Sequence, residues 1–200
     1  MENTRTKTTR NSLILLLTAA IWGMAFVSQS KGMDYMHPFT FNGVRSLIGA
    51  ASILVYILIS RKIAGDKAAP LDWKLNVKAG LLCGIFLTIA STLQQFGIKY
   101  TSVGKAGFIT TLYIIFVPMF GIFLKKKVAP VVWAAAVMAA VGMYLLCMTE
   151  SLRLGAGDIM VFLCAIAFAI QIMTVDHYAA RIDGAVVSCI QFTVCGVVCC

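Results

Sequence analysis

Residues 12–30 read SLILLLTAAIWGMAFVSQS, and this stretch decides the fold. It holds no Asp, Glu, Lys or Arg, while Arg5, Lys7 and Arg10 stand just before it. A bilayer core of about 30 Å requires about 20 mostly apolar helical residues. A cleaved signal would have a short apolar core followed by a small-residue cleavage site. Here the run continues through Ile21, Trp22, Met24, Phe26 and Val27, so a retained first transmembrane helix is expected.

Working outward, comparable apolar segments lie at 38–60, 76–97, 104–124, 130–148 and 157–176. A seventh begins near residue 185 and is still apolar at Cys200, so a longer parent protein is expected. The 200 residues are 60% hydrophobic and 12% charged. Soluble chains run at about 45–50% apolar and about 25% charged, so the surplus here must face lipid. The fold class expected is an all-α, polytopic integral membrane bundle with six to seven transmembrane helices in this stretch.

The net charge of +9 raises nucleic acid as a partner, and its distribution rejects that reading. The basic residues sit in short clusters between apolar runs, with no basic face or aromatic platform. Counted on alternate sides of the segments, twelve Lys and Arg fall with the N-terminus and four on the other side. Positive charge accumulates on the cytoplasmic side, so a cytoplasmic N-terminus is expected. The seven cysteines lie in or at the ends of apolar runs without a CxxC pair, as small packing residues do. No P-loop, HExxH or nucleophile cluster appears, so no enzyme, cofactor or metal site is expected.

Function must then reside in the polar groups of the spans. Arg45 lies about 10 Å along the second segment, a depth at which a guanidinium needs a polar cavity, a partner or a snorkelling path. Gln95, Tyr113 and Gln171 are further cavity candidates, each with the alternative of a plain interhelical hydrogen bond. Trp22 and Phe26, one turn apart, could form an aromatic wall or simply pack. Pro38 and Pro130 fit the first turns of helices. Pro118 lies inside the fourth segment, cannot bond the carbonyl of Ile114, and marks an expected kink there. Gly80 and Gly84 form a GxxxG pattern suited to close helix contact.

A weak internal repeat relates Leu17, Ala19 and Trp22 to Leu163, Ala165 and Phe168 at a constant offset. A five-span unit that is duplicated re-enters from the opposite face. The expected organisation is therefore a first five-helix repeat over 12–148 and the start of an inverted second over 157–200.

The chain also resembles the EamA family of the drug/metabolite transporter superfamily. The resemblance is carried by Trp22-Gly23 with Phe26, by Pro38 followed by Arg45, and by the run Tyr100–Ile109. It continues to Pro118 and Gly142-Met143-Tyr144-Leu145. Where many members place a glutamate after the fourth span, this chain has Lys125-Lys126-Lys127. The resemblance implies ten helices in two inverted five-helix repeats, in the inner (plasma) membrane. It implies movement of a metabolite, amino acid or drug-like solute by alternating access, coupled to a proton or to an exchanged solute. A sensor or assembly partner on the same bundle is the alternative.

Overall fold

The computed structural model describes residues 2–64, 72–123, 130–147 and 155–200. Lys67, Lys125, Lys126, Lys127 and Arg153, which contribute to the orientation count, lie outside the described residues. The described chain is helical: α1 (Glu2–Gly32), α2 (Pro38–Ala64), α3 (Trp73–Tyr100), α4 (Val103–Thr111), α5 (Tyr113–Phe123), α6 (Pro130–Cys147), α7 (Ala156–Tyr178) and α8 (Gly184–Cys199). Among the described residues, five stretches are long and apolar enough to cross a bilayer: Thr9–Gly32, Pro38–Ile63, Trp73–Tyr100, Val103–Phe123 and Ala156–Tyr178. The regions expected as the fifth and seventh spans contain shorter apolar helices, Pro130–Gly142 and Gly184–Cys199. The protein is a polytopic all-α membrane protein.

Local chemistry explains the helix starts. Pro38 and Pro130 open α2 and α6, where a missing N–H costs nothing. The Asp72 carboxylate accepts from the Leu75 N–H at 3.1 Å and starts α3 a few residues earlier than its apolar pattern suggests. Asp183 caps α8 by accepting from the Ala185 and Val186 N–H groups at 3.0 and 3.3 Å. Ser102 accepts from the Lys105 N–H at 3.3 Å and opens α4.

The fourth span is divided. Leu112 is a turn between α4 and α5, its N–H reaching back three residues to the Ile109 carbonyl at 3.2 Å. The Ile115 N–H makes a similar tight bond to Leu112 at 2.9 Å. The break thus sits six residues before Pro118, which is itself buried inside α5. A proline ring crowds the carbonyl four residues back, and the turn ahead of that carbonyl tightens to three-residue bonds.

Helices α3, α7 and α8 form the packed centre, with α2 laid against α8. Two ends of the bundle can be named. At the Pro38 end α2, α4 and α7 begin and α1 and α3 finish; at the Asp183 end α3 and α8 begin and α2, α5 and α7 finish. Small residues set the approach distances. A Cβ on Gly80 would lie 2.7 Å from Ile190, and one on Gly84 2.8 Å from Val194, so this GxxxG face receives α8. Gly97 of α3 and Gly157 of α7 bring two backbones together: a Cβ on Gly157 would meet the Gly97 carbonyl oxygen at 2.9 Å.

The outer surface is apolar. Leu15, Leu16, Met24, Val131, Met138 and Val197 are each about two-thirds exposed or more. Contiguous apolar exposure on this scale marks contact with a non-aqueous medium. Two small apolar clusters sit inside: Ile98, Ala106, Ile109 and Val161 toward the Pro38 end, and Ala79, Cys83 and Val187 toward the Asp183 end.

Candidate functional site: a buried polar layer

A layer of polar side chains lies within the spans, about 6–12 Å from the Pro38 end at a rise of 1.5 Å per residue. Asn42 is at its centre. Its amide nitrogen donates to Ser91 Oγ at 2.9 Å and approaches Cys195 Sγ and Cys199 Sγ at 3.6 and 3.5 Å. Ser46 donates to Cys195 Sγ at 3.3 Å, and Thr92 lies 3.7 Å from Cys199 Sγ. One amide therefore ties α2 to α3 and α8. The thiols suit this place because they fill volume like a small hydrophobe while still meeting an amide or hydroxyl.

Arg45 joins the layer from its edge. Its guanidinium donates to Asn42 Oδ1 at 3.3 Å and stands 6.0 Å over the Phe41 ring. The residue remains exposed on α2, so it charges the rim of the layer. On the α3–α4 side, Gln94 donates to Thr110 Oγ1 at 3.3 Å. Gln95, next along α3, is wholly enclosed, yet neither its amide nitrogen nor its amide oxygen has a hydrogen-bond partner among the described residues. Leaving such a group unpaired costs about 1–3 kcal/mol, and native proteins rarely tolerate it without reason. The Gln29 side-chain oxygen on α1 is also buried and unpaired among the described residues.

The six residues singled out as a cavity lining do not form one cluster. Arg45 and Gln95 belong to the polar layer, on its rim and in its interior. Trp22 is exposed on α1, and Phe26 packs against the apolar cluster of Ile98, Ala106, Ile109 and Val161. Tyr113 is half-buried at the start of α5, next to the Leu112 turn. Gln171 lies toward the other end and donates to Gln191 Oε1 of α8 at 3.0 Å. Sequence reasoning missed Ser46, Ser91, Cys195 and Cys199 as partners, because residues as far as 157 positions apart meet only in the packed bundle.

A cleft of about 580 Å³ opens toward the Asp183 end, among α3, α5 and α7. Leu82, Phe86, Phe120, Phe123, Ile170 and Met173 give it apolar walls, and Thr174, His177 and Tyr178 add polar atoms. Among the described residues no group of three or more His, Cys, Asp or Glu side chains is placed to hold a metal ion.

Comparison with known proteins identifies the kind of machine in which this layer sits. Residues 10–148 match the EamA-like transporter family. The chain belongs to that family. The EamA chain is also similar to a protein of Archaeoglobus fulgidus named an uncharacterized transporter, at 31% identity over 171 residues. That alignment covers 82% of this chain and 48% of the relative, so the chain spans about half the length of the curated relative it matches. No solved structure matches it. The family is one of membrane transporters, and in this chain the polar layer is the part of the spans that differs most from a lipid-facing surface.

Proposed function

We propose that the intact protein is a secondary transporter that moves a small metabolite, amino acid or drug-like solute across the cytoplasmic membrane by alternating access. The single observation that carries this reading is Gln95. Its enclosed carboxamide offers one acceptor and two donors that nothing in the described chain uses. A buried polar group left without a partner calls for one, and a bound solute would supply it. In the same layer, Arg45 beside Asn42 supplies a positive charge at the rim, and the layer's other members are neutral. This favours a solute with an anionic group together with amide-like or hydroxyl hydrogen-bonding groups.

Residues 12–148 would form one repeat and 157–200 the start of its inverted counterpart, with the solute held between them. With a cytoplasmic N-terminus, the Pro38 end faces outward and the cleft among α3, α5 and α7 opens to the cytoplasm. A coupling proton or an exchanged solute would supply the driving force.

The test is solute counterflow in vesicles holding the full-length protein. Arg45→Ala and Gln95→Leu are each expected to lower the rate about tenfold, equivalent to ~1.4 kcal/mol. Unchanged flux in both variants would remove the polar layer from the solute path. Absence of flux for every solute class offered to wild type would instead favour a sensor or assembly partner.

A further inference from the structure

We propose that two ion pairs at opposite ends of the bundle are the latches of the transport cycle, Lys105–Asp158 at the Pro38 end and Arg61–Asp183 at the Asp183 end. The inference rests on the transport reading above. Each pair joins a residue before position 148 to one after position 157, and so spans the boundary across which the two repeats would move.

The two pairs differ in strength. Asp158, only 4% exposed at its side chain, faces Lys105 Nζ at 3.8 Å, and the lysine side chain is 19% exposed. The same carboxylate accepts from the Gly155 N–H at 2.9 Å and from the Thr101 hydroxyl. Lys105 lies in the first turn of α4, where the helix dipole disfavours a cation, so the contact with Asp158 offsets an unfavourable placement. Alongside, Gly97 and Gly157 hold α3 and α7 in backbone contact. This end thus carries a largely desolvated charge pair beside a close helix crossing. At the other end, Arg61 Nη2 stands 3.6 Å from Asp183 Oδ2, and both side chains are 39% exposed. Asp183 keeps its cap on α8, and its N–H donates to Asn76 Oδ1 at 2.9 Å. An exposed pair contributes little, whereas separating a buried one is costly. The Pro38 latch is therefore the strong one and the Asp183 latch the weak one, and the cleft among α3, α5 and α7 opens at the weakly held end.

The buried thiols Cys164, Cys195 and Cys199 are native reporters: Cys164 follows Asp158 on α7 by six residues, and Cys195 and Cys199 lie in the polar layer near the Pro38 end. Their labelling by a membrane-impermeant maleimide can be measured by mass spectrometry on the full-length protein, in sealed vesicles of both orientations. Lys105→Met and Asp158→Asn are expected to raise labelling from the Pro38 face about fivefold or more, the lower end of ordinary coupling between two conformations. Thr101→Val, a milder change to the same carboxylate, raises it in the same direction, and Lys105→Asp combined with Asp158→Lys returns it toward wild type. Arg61→Met leaves that face unchanged. Wild-type labelling in the folded single variants overturns the proposal. So does a reversed pair that fails to restore protection, or a rise from both faces alike. Counterflow by wild type is measured in parallel, so a failed transport reading is seen separately from a failed latch.

Discussion

At the scale of single residues, the structure separates glycines that hold helices together from glycines that do not. A Cβ on Gly157 would lie 2.8 Å from the Tyr100 carbonyl carbon and 2.9 Å from the Gly97 oxygen, both backbone atoms that cannot swing aside. Gly157→Ala is expected to destabilise the protein by about 1–3 kcal/mol, as overpacking does. A Cβ on Gly107 would meet nothing within 4 Å, and Gly107→Ala is expected to be neutral or to stabilise by about 0.5–1 kcal/mol through helix propensity. Thermal unfolding in detergent reads both. Asn42 is the corresponding polar case. Hydrogen bonds between membrane helices average about 0.6 kcal/mol and reach about 1.7. Because Asn42 faces Ser91, Cys195, Cys199 and Arg45 together, Asn42→Leu belongs at the upper end. A double-mutant cycle with Ser91→Ala isolates the Asn42–Ser91 bond. The Asn42 amide nitrogen keeps Cys195 Sγ and Cys199 Sγ at 3.6 and 3.5 Å, so Ser91→Ala alone is expected to be mild.

At the scale of elements, the informative feature is the divided fourth span. With an N–H restored at position 118, Pro118→Ala is expected to draw the Leu112 turn toward regular helix. Amide hydrogen exchange at Leu112 through Phe116 should then slow, and unchanged exchange would separate the turn from the proline. Much of the element plan was legible beforehand. Apolar runs of bilayer length located the long spans, and Pro38 and Pro130 announced the helix starts because proline suits a first turn. The turn at Leu112 was not legible, since leucine is a good helix former and the cause acts from six residues away. Nor was Asp158 singled out. An acid at the head of one span opposite a lysine at the head of another gains meaning only when α4 and α7 adjoin. Arg45 and Gln95 were readable as polar residues in apolar spans. Their roles were not, because the partner of one and the isolation of the other depend on which helices flank α2 and α3.

At the scale of the whole molecule, orientation is open to direct test. Reporters placed in the 65–71 and 124–129 connections are expected on the same side as the N-terminus. Reporters at 33–37 and 101–102 are expected on the other side. Identical readings from both groups would break the alternating path of the chain. The crossing of Gly97 on Gly157 also has a mechanical consequence. From Gly97 to the start of α3 at Trp73 is 24 residues. At 1.5 Å per residue this is an arm of about 36 Å, so a tilt of about 10° about the crossing sweeps its far tip through about 6 Å. A crossing placed so near the Pro38 face gives α3 a long lever arm, so a small rotation there is magnified into a much larger displacement at the Asp183 end.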